Sequence, residues 1–157
     1  MLATVTFYGV VLAVHIMAVV VAFGMLFAYP AFMPWARRNH PEAMPVIHAL
    51  SGRLGRLVTS PAMALVLICG IYLASDADAW SETWVSVPLV ILVLIGGLGG
   101  AFFAPNDRRL GELATRDLAA DGELSAEYDE LFRRVAIVGL ATCALVLIAI
   151  FFMAAKP

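Results

Sequence analysis

Charge is what this sequence is short of. Asp, Glu, Lys and Arg make up 14% of its 157 residues, against roughly 25% in an average soluble domain. The shortage is concentrated in four blocks. Leu2–Trp35, Leu57–Ser75, Thr83–Asn106 and Val135–Ala155 contain no Asp, Glu, Lys or Arg. About 20 mostly apolar residues suffice to carry a helix across some 30 Å of hydrocarbon. The expected fold is therefore all-α, an integral membrane four-helix bundle, and a soluble enzyme, a secreted disulfide scaffold and a disordered tail are excluded. Cysteine is also scarce. Cys69 and Cys143 both fall inside expected spans, where a lone thiol serves as a small apolar packing group. There is no CxxC and no Cys/His cluster with zinc spacing. The only glycine-rich run, Gly96-Gly97-Leu98-Gly99-Gly100, lies in an apolar block and is no phosphate loop. No Ser/His/Asp set lies within the spans, so an enzymatic signature is missing.

The charges that are present orient the chain. Arg37, Arg38, Arg53 and Arg56 separate the first two blocks, and Arg108, Arg109, Arg116, Arg133 and Arg134 separate the last two. The middle connection carries Asp76, Asp78 and Glu82 but no basic residue. The positive-inside rule then puts both basic connections in the cytoplasm and both termini outside. The net charge of −2 decides little, because nine acids share the basic connections. A solvated mixed-charge surface, without nucleic-acid binding, is expected there. No basic residue precedes the first apolar run, which is also longer than a signal core, so the first span is expected to be retained.

A single four-span domain over residues 1–157 is expected, with spans at about 5–32, 57–75, 84–104 and 133–155. Pro30 and Pro34 are expected to end the first span. Val46, Ile47, Leu50, Leu54 and Leu57 recur at helical spacing, which suggests an interfacial helix leading into span two. Pro61 should bend that span near its start. Tyr72, Trp80 and Trp84 suit an outer aromatic belt. Gly96 and Gly100 form a GxxxG pair that permits close helix packing, within the chain or in a homodimer. Leu110, Leu113, Ala114 and Leu118 line one helix face, Asp121-Gly122 marks a turn, and Ser125 suits an N-cap. A cytoplasmic helical hairpin between spans three and four is the expected result.

His15 stands apart. It is the one ionisable side chain, Tyr and Cys excepted, inside any span. Such residues are expensive in lipid and are functional candidates by default; the plainer alternative is a neutral imidazole held by one interhelical hydrogen bond. Ala18 and Ala22, on the same helix face, leave room beside the ring for a flat macrocycle or for a closely packed helix. A single histidine can serve as proximal ligand to haem iron. His40 and His48 fall in a basic connection and read as interfacial polar residues. Proton-coupled transport normally uses an embedded acid, and none is present.

Span one runs His15-Ile-Met-Ala-Val-Val-Val-Ala-Phe-Gly24 and closes at Pro30. Ser51-Gly-Arg-Leu-Gly-Arg-Leu precedes Pro61-Ala-Met, with Gly70 and Leu73 beyond, and the chain ends Phe151-Phe-Met153-Ala-Ala-Lys156-Pro157. Together these resemble a bacterial membrane superfamily. It contains HemJ-type protoporphyrinogen oxidases, copper-resistance protein D-like membrane domains and a four-span family of unknown function, domain-of-unknown-function family twenty-two sixty-nine, whose tail is most similar. The resemblance implies that His15 matches a first-span histidine linked to haem or porphyrin. It departs at Val85-Ser86-Val87-Pro88-Leu89, where HemJ-type enzymes carry a lysine, and at the glycine run, where a later histidine is replaced. These departures favour the uncharacterised branch.

Three functions remain open on the sequence. The first is a scaffold or accessory protein, as a homodimer or with a membrane-complex partner. The second is a membrane redox protein binding haem b or porphyrin through His15. The third is a small transporter. A prokaryotic plasma membrane location follows from the resemblance.

Overall fold

The computed structural model describes residues 6–120 and 122–157. The expected start of span one at Val5, and Asp121 of the expected Asp121-Gly122 turn, lie outside the described residues.

Six α-helices, designated α1 to α6, make four long rods. They are α1 (Phe7–Asn39), α2 (Met44–Leu54), α3 (Ser60–Asp76), α4 (Thr83–Leu98), α5 (Ala104–Ala120) and α6 (Ala126–Ala155). A π-helical turn at Gly55–Thr59 fuses α2 to α3, and another at Gly99–Phe103 fuses α4 to α5. All four rods contain a stretch long and apolar enough to cross a membrane. Each is also longer than a crossing needs. The 33 residues of α1 extend about 50 Å at 1.5 Å per residue.

Pro30 and Pro34 do not stop α1, which continues to Asn39. Proline removes one backbone donor without ending a helix when neighbouring helices satisfy the freed carbonyl. Here Pro30 leaves the Leu26 carbonyl without its partner four residues on, and the Cys143 thiol of α6 donates to that oxygen at 3.5 Å. Both cysteines are free and buried.

The two fused rods break in the same way. Gly55 is followed six residues later by Pro61, and Gly99 by Pro105, with each π turn ending two residues before its proline. The Ser60 amide reaches back to the Gly55 carbonyl, and Ala104 to Gly99, in the wide spacing of a π turn. The Ser60 hydroxyl also donates to the Gly55 carbonyl at 2.9 Å. The bend expected at Pro61 is thus a widened turn just ahead of it.

Two cores result. One lies within the spans, where Ala22, Phe23, Ala62, Ile91, Ile95 and Val146 bring four helices together. The other joins the α1 end, α2, α5 and the α6 start through Ala36, Met44, Leu110, Leu113, Ala114 and Tyr128. Ser125 caps α6 by accepting from the Tyr128 amide at 3.3 Å. The face expected on α5 is present, but Asp117 completes it in place of Leu118.

Much of the apolar stripe expected on α2 faces outward. Val46, Leu50 and Leu57 are exposed, while Met44, His48 and Ser51 are buried. An exposed apolar stripe with polar groups turned inward suits a lipid environment, where the usual inside-out pattern of soluble helices gives no advantage.

The opposite end closes with a Schellman turn. Asp78 takes the left-handed conformation (φ 48°), Ala79 donates to the Ala74 carbonyl at 2.9 Å and Asp78 to Ser75 at 3.3 Å. Trp80, Trp84 and Tyr72 gather there. Trp80 donates to the Ser75 hydroxyl at 3.2 Å, Tyr72 packs edge-on against Phe7, and Lys156 lies 4.5 Å over the Trp84 ring.

Candidate functional site

His15 is 6% exposed, on the α1 face that packs α3. Ala18 and Ala22, one and two turns on, are buried as well. Their small size is used to bring α3 close, and the room beside the ring is taken by that helix. A β-carbon at Gly70 would stand 3.4 Å from His15 Cε1. Glycine therefore lets the α3 backbone lie against the imidazole edge.

The ring is tied on one side only. Nδ1 lies 3.1 Å from the Val66 carbonyl. A carbonyl can only accept, so Nδ1 carries the proton and donates, and the neutral ring keeps a lone pair on Nε2. No polar side-chain atom among the described residues is sealed away without a partner. Nε2, which has no hydrogen bond among the described residues, is therefore not fully sealed. His15 also lines a concavity to which α1, α3, α4 and α6 contribute, with Phe23, Val66, Pro88, Ile91, Val146 and Trp80 among its walls. His15 is the one titratable group in its lining.

This arrangement can do one chemical thing well. An imidazole whose Nδ1–H is held by a backbone carbonyl has a fixed tautomer and orientation, and presents Nε2 as an acceptor or ligand, as metal-bound histidines do. The donor set suits a single proximal ligand to haem iron. The concavity holds about 80 Å³, well below the roughly 300–1,000 Å³ of small-molecule sites, so its walls must part before a macrocycle can enter. Among the described residues no three His, Cys, Asp or Glu side chains cluster to hold a metal ion.

Gly96 and Gly100 lie on the outward side of the α4 rod. Among the described residues, a β-carbon at Gly96 would meet only Met63 Cε, at 3.7 Å, and nothing lies within 4 Å of that position at Gly97, Gly99 or Gly100.

A second polar centre, which the sequence reading places at an interface, is buried. His48 on α2 is 2% exposed. Its Nδ1 is 3.3 Å from Asp107 on α5 and its Nε2 is 2.9 Å from the Tyr128 hydroxyl on α6. Asp107 accepts, so Nδ1 donates to it and Tyr128 donates to Nε2. Burial pushes the Tyr128 phenol well above its ordinary range, so it stays protonated in this role. A β-carbon at Gly111 would come within 3.4 Å of His48 Cβ, so α2 and α5 approach closely there. The chain Asp107–His48–Tyr128 has the order of a catalytic relay, but its terminal oxygen belongs to a fully buried residue, and it works as a clasp between three helices. The signal is the i, i+4, i+7 spacing of Met44, His48 and Ser51, which apolar periodicity alone overlooks.

Around this clasp Arg37 on α1 pairs with Asp129 on α6. Asp117 accepts from the Ser125 amide at 3.0 Å and from Arg116 at 2.8 Å. The Ser125 hydrogen bonds, aided by Arg116, hold the Asp117 carboxyl below its ordinary range.

No curated protein and no solved structure matches the chain. One family model does, over residues 9–157, and its description is "Predicted integral membrane protein (DUF2269)". Four apolar rods, an apolar exterior and a match over nearly the whole length agree: the chain belongs to this family of integral membrane proteins.

Proposed function

We propose that the protein is a membrane-embedded haem- or porphyrin-binding protein in which His15 Nε2 is the axial ligand. The observation that carries this reading is the Nδ1 hydrogen bond to the Val66 carbonyl at 3.1 Å, which leaves Nε2 unpaired on a histidine that lines a concavity shared by all four rods. A neutral histidine retained only for packing would gain by pairing both nitrogens in lipid. Haem supplies one-electron chemistry when bound; the chain's own part is to fix the imidazole and exclude water. The protein is purified in mild detergent, haem is added and the absorbance recorded. A Soret band that disappears in His15→Ala supports the reading. No band, or an unchanged band in the variant, rejects it.

An accessory or scaffold role is compatible with this and has its own support. The open space beside Gly97, Gly99 and Gly100 leaves the smooth face of the α4 rod available to a second copy or to a membrane partner. A homodimer would also bring two copies of His15 into one assembly. A transporter has no comparable support, because the walls around His15 are apolar. The charges favour both termini outside and the α5–α6 hairpin in the cytoplasm, and the resemblance favours a prokaryotic plasma membrane. The support for the orientation is that nine of the ten basic residues belong to the two connections that meet at the hairpin end.

A further inference from the structure

Where α6 leaves the hairpin and enters its apolar stretch, Arg133 and Arg134 stand exposed on its first turns. Neither makes an ion pair among the described residues, which is also true of Arg38, Arg53 and Arg56, whereas Arg37, Arg108, Arg109 and Arg116 are paired. They line a groove of about 440 Å³ together with Arg109, and Leu131, Ile137 and Val138 form its apolar part. Two acids share the groove. Glu127 is engaged by Arg109 at 2.9 Å and by Arg116 at 3.4 Å, which leaves Glu130 as the one carboxylate there without an ion pair.

The groove does not end at its charges. Arg133, Ile137, Leu140, Ala144, Leu147 and Phe151 follow one another at steps of four and three residues, so they share a single face of α6. Ile137, Leu140, Leu147 and Phe151 are 61%, 55%, 57% and 60% exposed. Two unpaired guanidinium groups at the head of a long exposed apolar stripe match a phosphodiester joined to acyl chains. Arginine grips phosphate with its planar fork, and basic pockets at the ends of membrane helices are suited to anionic lipid headgroups. A soluble phosphate would use the arginines alone, whereas a phospholipid engages both the arginines and the stripe that they head.

We propose that this groove is a binding site for an anionic phospholipid, with the headgroup phosphate held by Arg133 and Arg134 beside Arg109, and an acyl chain laid along Ile137, Leu140, Leu147 and Phe151. The proposal does not depend on haem binding at His15.

The full chain, purified in detergent, is exchanged against equal amounts of phosphatidylglycerol and phosphatidylcholine, and retained lipid is counted by native mass spectrometry. The wild type should retain phosphatidylglycerol at least about fivefold over phosphatidylcholine. Arg133→Gln/Arg134→Gln should abolish that preference. Glu130→Gln, which removes the unpaired carboxylate, should increase it. Arg38→Gln, at an exposed arginine outside the groove, should leave it unchanged, and helical content measured by circular dichroism shows that each variant is folded. No preference in the wild type, a folded double variant that keeps it, or an equal loss in Arg38→Gln overturns the proposal. Millimolar inorganic phosphate should displace little of the lipid; complete displacement would mean that the acyl chain contributes nothing, and also overturns it.

Discussion

Single polar side chains do unusually specific work in a chain with so few of them. His15 and His48 are both buried, but they differ in how many of their nitrogens are paired. His48 has partners on both, Asp107 and Tyr128, and so is a closed structural clasp. His15 has one, the Val66 carbonyl, and so retains a usable lone pair. Asp117 shows the same economy at the hairpin turn, where it holds the Ser125 amide while Ser125 caps α6. Because the folded carboxyl titrates below its ordinary range, its contribution is fully present above the unfolded value of about 3.9. It is lost as pH falls through the lower, folded value. The hairpin should therefore loosen in acid. Asp117→Asn should melt a few degrees lower than the wild type at pH 7 and lose most of the difference as the pH drops below 4, which thermal unfolding in detergent across pH measures.

The helices are long rods whose direction is adjusted by local widening. Each π turn accommodates one residue more than an α turn, and one residue is about 100° of rotation at 3.6 residues per turn. Without the widening at Gly99–Phe103, Leu110, Leu113 and Ala114 would point away from α2 and α6. Removing Gly100 should let the rod close into a regular α-helix, but Pro105 would then clash with the carbonyl four residues back, at a cost of about 3 kcal/mol. Deletion of Gly100 alone is expected to destabilise the protein by more than that amount, because it also turns Leu110, Leu113 and Ala114 out of their core. The same deletion combined with Pro105→Ala should recover only the part due to the proline clash, as read from thermal unfolding. Equal losses in the two variants would show that the π turn is not there to relieve the proline. These turns were hard to read from the sequence. The expected bend at Pro61 follows from its missing donor, but the absorption of that defect over Gly55–Thr59 depends on how α2 must meet α5. The same holds for Pro30, where a helix end was expected and the Cys143 thiol instead meets the freed Leu26 carbonyl.

At the scale of the whole molecule, the exterior of the spans is apolar all round, with Phe7, Val20, Ile68, Val90 and Val93 exposed on several rods. Lipid covers such a surface as well as protein does, so apolarity alone does not mark a partner's footprint. The smooth face at Gly96, Gly97, Gly100, Ala101 and Ala104 is a sharper marker, since each of these residues is exposed and small residues let a second helix approach closely. If two copies meet there, Gly100→Leu should convert a crosslinkable dimer to monomer in intact membranes while leaving the helical content unchanged. An undiminished dimer in that variant would move the contact elsewhere or leave the face to lipid.

The amino-acid sequence by itself determined four apolar spans, the basic connections at one end, the Ser125 cap and the isolation of His15 in the membrane, because hydropathy, charge and capping are local properties. Only the tertiary structure decided which side of each helix is used. Lipid removes the usual rule that apolar faces turn inward, so Val46 and Leu50 face outward while His48 is buried. The alanines beside His15 admit a helix where the sequence equally allowed a macrocycle. The partner of His15 is a carbonyl 51 residues away, and no pattern along the chain could name it, because it exists only once α1 and α3 have packed.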